Sequence, residues 1–203
     1  MLRHEGRRSG PRSVIELILI VALALGLALL IQAVLVKPYR IPSQSMEPTL
    51  RVGERVLVSR VNYHVSDPDR GDIVVFHPPI GADGNECGAA HPPDQPCPRP
   101  TPQRANVNFI KRIVAVPGDT LAIQDGHAVV NGKVQKEDFT NPCAPGGQCN
   151  YTRPIKIPPG YFFMMGDNRG ESDDSRFWGP VPRKWIIGQA FFSYWPVERI
   201  GFL

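Results

Sequence analysis

The chain has 203 residues, a formal net charge of +4 from 23 Lys and Arg against 19 Asp and Glu, and 42% hydrophobic content. With 19 Gly and 22 Pro it is rich in turns, but that much apolar side chain argues against a disordered or collagenous protein. Only Pro11 among the prolines precedes Lys37, so long helices are disfavoured in everything that follows, and a helical bundle there with them.

In chain order, residues 1–13 carry Arg3, Arg7, Arg8 and Arg12, and residues 14–36 are apolar apart from Glu16, Gln32 and Gly26. A helix over 14–36 rises about 35 Å, slightly more than the roughly 30 Å hydrocarbon layer of a bilayer. A cleaved signal peptide is the competing reading, but its apolar region is shorter and is followed by small residues. Here the run ends in Val34-Leu35-Val36-Lys37. The four arginines before the segment outnumber Lys37 and Arg40 after it, which places the N-terminus in the cytoplasm. The expected organisation is a cytoplasmic tail (1–13), a transmembrane helix (14–36) and an extracytoplasmic, β-rich domain (37–203), single-pass and type II. That domain is near neutral and lacks a basic stripe, so a nucleic-acid partner is not expected.

Beyond the apolar segment, β-branched and aromatic runs recur between turn signals. They are Arg55–Tyr63, Asp72–Phe76, Val107–Val116, Thr120–Ile123, His127–Val130, Lys133–Gln135, Tyr161–Met165 and Ile186–Trp195. Asp125-Gly126 and Asn131-Gly132 are tight-turn dipeptides, so 120–136 reads as a meander. The expected fold is mostly β, with antiparallel sheets. Cys87, Cys97, Cys143 and Cys149 all lie in the part assigned outside the cytoplasm, where an even count suggests two disulfides. Of three connectivities, the short loops favour Cys87 with Cys97 and Cys143 with Cys149. Cys87, His91 and Cys97 fit no zinc spacing, and no metal or other cofactor is expected. Residues 78–102 hold eight prolines, and the Cys- and Pro-rich stretch 78–105 reads as an irregular insertion.

Motifs for common chemistries are missing. There is no G-x-S-x-G elbow or phosphate loop, and Asp167-Asn168-Arg169-Gly170 has Arg where a calcium loop needs Asp or Asn. Arg70-Gly71-Asp72 runs into Ile73-Val74-Val75-Phe76, a turn entering a strand more than an adhesion tripeptide. Two segments remain. In Pro42-Ser43-Gln44-Ser45-Met46-Glu47-Pro48, prolines restrict the backbone around two serines. In Phe109–Val116, strand alternation sets Lys111 in phase with Phe109 and Ile113. A lysine on an apolar phase is unusual. Burial disfavours the ammonium, and a neutral lysine can serve as the base that a serine nucleophile needs. Lowering a lysine from about 10.4 to about 7.5 corresponds to roughly 4 kcal/mol of desolvation, within reach of a dry pocket. Taken singly, each segment also reads as an ordinary loop serine or a snorkelling surface lysine.

Together these segments resemble the bacterial type I signal peptidases, membrane-anchored serine proteases. The resemblance rests on four stretches in order after the N-terminal anchor. They are Pro42-Ser43-x-Ser45-Met46-x-Pro48-Thr49, Arg70–Phe76, Lys111–Asp119, and Gly166-Asp167-Asn168-Arg169-x-x-Ser172-x-Asp174-Ser175-Arg176. It implies that Ser45 is the nucleophile and Lys111 the general base. It also implies an oxyanion hole made of the Ser43 hydroxyl and the Ser45 backbone N–H. Ser172 would orient the lysine, Asp174 and Arg176 would support the site, and Met46 would line the substrate cleft. The implied activity is removal of signal peptides from secretory preproteins at the bacterial cytoplasmic membrane, with signal peptides and the lipid bilayer as partners. Small pockets for Ala before the scissile bond are likewise implied by the resemblance alone. Ser45 lies eight residues past Lys37, so extended chain carries it at most about 26 to 29 Å from the membrane face.

Two rivals have different signatures. An anchored adhesion module leaves Ser45 and Lys111 unexplained, and a self-cleaving Ser–Lys regulator is normally soluble and acts on its own chain.

Overall fold

The computed structural model describes residues 11–143 and 149–203. The tail residues 1–10 lie outside the described residues. The chain opens with α1 (Pro11–Leu35), which starts at the one early proline, a residue whose fixed φ suits the first helical position. The helix ends earlier than the apolar run. Val36–Arg40 forms β1 and pairs antiparallel with β2 (Arg55–Ser59), because Pro38 cannot continue a helix and its missing N–H is tolerated on an edge strand. The helix boundary expected at Val36 is thereby corrected to Leu35.

Side chains of α1 are described for residues 14–29, about 24 Å of helix. Among the described residues no helix is long and apolar enough to cross a membrane. The described apolar side chains of α1 are nevertheless exposed, from Val14 at 49% to Leu23 at 75%. They pack into none of the three cores.

After β2 come α2 (Asn62–Val65), β3 (Ile73–Phe76) and β4 (Phe109–Ala115). The run read as one strand over Arg55–Tyr63 thus splits, with Tyr63 in a helical turn. Next are β5 (Thr120–Gln124), β6 (His127–Val130), β7 (Lys133–Val134), β8 (Tyr151–Lys156) and β9 (Tyr161–Met165). The chain closes with α3 (Ser175–Trp178), β10 (Val181–Pro182), β11 (Ile186–Trp195) and β12 (Gly201–Phe202). The fold is mostly antiparallel β. One sheet has the order β1-β2-β11-β3-β4-β9-β10, with β12 also on β11, and a smaller one runs β7-β6-β5-β8. Asp125-Gly126 and Asn131-Gly132 have positive φ at both positions (51° and 81°, 52° and 78°). This is what a type I′ hairpin requires.

Three apolar clusters fill the domain. Val114, Leu121, Val130, Ile155 and Phe163 join the small sheet to β4 and β9. Phe76, Ile113, Met164 and Trp178 fill one face of the large sheet, and Ile41, Met46, Leu50, Val58 and Ile110 fill the other. β4 contributes to both faces, and five of its seven residues are buried.

The stretch 78–105 is ordered. Backbone bonds from Ala105 N to Pro78 O (2.7 Å) and Ile80 N to Gln103 O (2.8 Å) close its base. A Cys87–Cys97 disulfide with Cα atoms 5.7 Å apart joins its middle. The second disulfide links Cys143 to Cys149, with Cα atoms 6.3 Å apart.

Candidate active site

Ser45 belongs to a 3-10 turn, Gln44–Met46, reached directly from β1. Pro42 and Pro48 flank the turn, which holds a short non-helical geometry in place where a longer helix would otherwise compete. Its side chain meets Lys111 from the middle of β4, whose partner across the ladder in β3 is Val74. Lys111 Nζ is bonded to Ser45 Oγ at 2.5 Å, across 66 residues of sequence. Both residues are 5% exposed.

Burial is the main influence on Lys111 and disfavours its ammonium. Asp174, Asp173 and Asp167 pull the other way and Arg176 adds to the lowering, leaving the amine at about 8 against an ordinary 10.5. An amine in that range is uncharged in a useful fraction near neutral pH, the state in which it accepts a proton. Arg112, next in sequence, points to the opposite face. It forms a two-pronged bond with Asp167 (2.9 and 2.7 Å) and lies over the Phe139 ring at 4.0 Å. Strand alternation therefore sends neighbouring cations to different partners, Lys111 to Ser45 and Arg112 to Asp167.

The Ser43 hydroxyl lies 3.3 Å from Ser45 Oγ. As an early residue of its turn, Ser45 has a backbone N–H with no partner inside the turn. A cavity of about 310 Å³ opens beside them, lined by Ser43, Ser45, Phe109, Lys111, Glu171 and Asp173 among others. Two hydroxyls and a buried amine beside one cavity are an arrangement that could carry acyl transfer, which needs a nucleophile with a base in reach.

The chain leaving β9 wraps this turn from below. Asn168 N donates to Ser45 O (3.1 Å), and its side-chain amide donates to Gln44 O (3.2 Å). Asp174 is fully buried and receives Gly166 N (3.0 Å), Arg176 Nε (2.7 Å) and Arg176 Nη2 (2.9 Å). Burial by itself would raise the Asp174 carboxyl, but the Arg176 charge and hydrogen bonds outweigh it and hold it below its ordinary value. Arg176 Nη2 also donates to the carbonyls of Arg169 (2.7 Å) and Ser172 (3.0 Å), so one guanidinium gathers the loop. A buried pair of this kind contributes little net stability but strongly favours one geometry.

Two expectations are corrected. Met46 does not line the cleft. It is fully buried in the core beneath the serine turn, because the residue after Ser45 in a tight turn projects away from it. Ser172 does not hydrogen-bond Lys111. Its hydroxyl is buried with no partner among the described residues, and it packs against Gly166.

Gly166 stood in the motif with no role assigned. A Cβ there would meet Ser45 O and Ser172 Oγ at 2.3 Å each, so only a bare backbone fits between them. Asn168 and Asp173 also escaped assignment. Their part depends on which chain segment lies opposite, which local sequence does not reveal.

A family model described as signal peptidase, peptidase S26, matches residues 14–195. The chain is 38% identical over 181 residues to a signal peptidase I of Leptolyngbya laminosa, covering 89% of this chain and 79% of that one. It is 32% identical over 206 residues to a signal peptidase I of Bacillus licheniformis, covering 98% of each. Against a probable signal peptidase I-2 of Synechocystis the identity is 38% over 163 residues, with 80% of this chain and 65% of the relative covered.

Proposed function

The chain belongs to the signal peptidase family, peptidase S26, and we propose that it is a membrane-anchored serine endopeptidase that removes signal peptides from secretory preproteins through a Ser45–Lys111 dyad. The observation that carries this reading is the 2.5 Å contact between Lys111 Nζ and Ser45 Oγ in a buried setting at the edge of a cavity. Neutral Lys111 takes the Ser45 proton as Oγ attacks the scissile carbonyl. The Ser43 hydroxyl and the Ser45 N–H donate to the oxyanion, and Lys111 then returns the proton to the leaving amine. Water, deprotonated by the Lys111 amine, attacks the acyl carbonyl, and Lys111 passes that proton to Ser45 Oγ as the ester bond breaks and the acid product leaves. Asp174 and Arg176 hold the loop under the dyad, and Gly166 lets that loop touch the serine turn.

The exposed apolar side chains of α1 support a bilayer as the second partner. β1 runs straight from the helix into the serine turn, so an anchored helix holds the cleft near the membrane face, where a signal peptide's apolar segment lies. Arginines before the apolar run support a type II orientation with the β domain outside the cytoplasm.

The test is cleavage of a separate preprotein by the full chain in liposomes. Ser45→Ala and Lys111→Ala are each expected to lower the rate by at least about a thousandfold. Processing that survives in either variant contradicts the dyad.

A further inference from the structure

The insertion 78–105 has no part in that mechanism, yet one of its side chains reaches the cleft. Asn85 has left-handed backbone, φ 56°, and its side-chain amide donates to Asp173 Oδ1 at 2.9 Å. Asp173 lines the same cavity as Ser45 and Lys111. The insertion also grips the chain just beyond. Cys97 N donates to Arg176 O at 2.9 Å. At Gly179, a Cβ would come within 2.7 Å of the Arg99 carbonyl carbon.

We propose that Asn85 is a positioning residue for the reaction: it fixes the Asp173 carboxylate on the cleft rim, so that the insertion sets how much negative charge the general base experiences. The inference rests on the Ser45–Lys111 reading.

The charged groups around Lys111 differ in freedom. Asp174 is locked by Arg176 and Asp167 by Arg112, each through two bonds, and Glu171 on the rim is held by Gln44. Asp173 is exposed, and among the described residues its carboxylate has Asn85 as its one hydrogen-bond partner. An untethered surface carboxylate turns into water, where its field is screened. A tethered one acts on the cleft from a constant position. Asparagine suits the task, since it tolerates left-handed backbone and carries an amide donor.

The experiment uses the full chain in detergent micelles, a fluorogenic signal-peptide substrate, and kcat and KM measured from pH 6 to 10. Asn85→Gly removes the donor while keeping the left-handed backbone easy to adopt. Asp173→Asn is expected to move the acid limb of the kcat profile to lower pH. Asn85→Gly is expected to move it the same way, with about twofold more activity at pH 7 relative to the plateau, equivalent to about 0.3 pH units. The double variant is expected to match Asp173→Asn alone, since the two residues act as a unit. An unmoved limb in Asn85→Gly overturns the proposal, as does an equal shift in the presence and absence of Asp173. So does a loss of kcat uniform across pH, which is the sign of a merely structural role. Activity retained in Ser45→Ala is a different failure, that of the dyad reading.

Discussion

Burial leaves Lys111 at about 8 in the folded protein, while an unfolded chain keeps lysine near about 10.4. Between those values the unfolded chain holds a proton that the folded one has released, so this group's contribution makes stability rise with pH across that window. Below about pH 8 the charged amine in a dry site costs roughly 3 kcal/mol. Lys111→Met is therefore expected to abolish activity yet stabilise the fold by up to roughly 3 kcal/mol at pH 6 to 7, and to flatten stability from pH 8 to 10. Urea unfolding over a pH series checks both; a destabilised variant with the slope intact would contradict the burial argument. In the proposed mechanism the same proton governs turnover. The rate is expected to climb tenfold per unit below about pH 8 and level off above it, as a stopped-time assay across pH would reveal. Gly166→Ala places a methyl 2.3 Å from Ser45 O. It should lower kcat at least about tenfold through displacement of Ser45, with far-UV circular dichroism unchanged.

Among the elements, the hairpins of the small sheet were the most legible. Asp125-Gly126 and Asn131-Gly132 demand positive φ and specify their turns locally. β1 and β8 were not anticipated. β1 hid at the end of an apolar run, and β8 contains Pro154 and follows a loop crowded with Pro, Gly and Cys; each becomes a strand through its partner, β2 and β5 respectively. The insertion is held by the Cys87–Cys97 bridge at a sequence separation of 10. Closing so short a loop restricts the unfolded chain by roughly 2 to 3 kcal/mol. The paired change Cys87→Ser and Cys97→Ser is expected to lower unfolding free energy by about that amount, measured in denaturant with the Cys143–Cys149 bridge left oxidised.

For the whole molecule, the division into an apolar helix and a β domain has a mechanical consequence. None of the described side chains of α1 belongs to a core cluster, and β1 ties the domain's edge to the helix end. A chain lacking residues 1–35 should keep its three cores and cleave a short soluble peptide at a rate within about threefold of the full chain, since Ser43, Ser45 and Lys111 are all retained. It should lose flotation with liposomes and processing of a bilayer-inserted preprotein. Retained flotation would contradict α1 as the membrane contact.

The sequence alone determined the apolar helix, the β character of the rest and the hairpin turns, because these are written in composition and local backbone demands, while the pairing of Ser45 with Lys111 was implied by the motifs of the family resemblance. It misjudged Met46 and Ser172, and it left the insertion without a purpose. Which face of a tight turn looks into a cleft, whether a buried hydroxyl finds a partner, and which loop leans on Asp173 depend on residues tens of positions away. Antiparallel pairing brought those residues together. Lys111 illustrates both halves: its phase in β4 was readable, but the burial that lowers its pKa came from β3, β9 and the loop closed by Arg176 and Asp174.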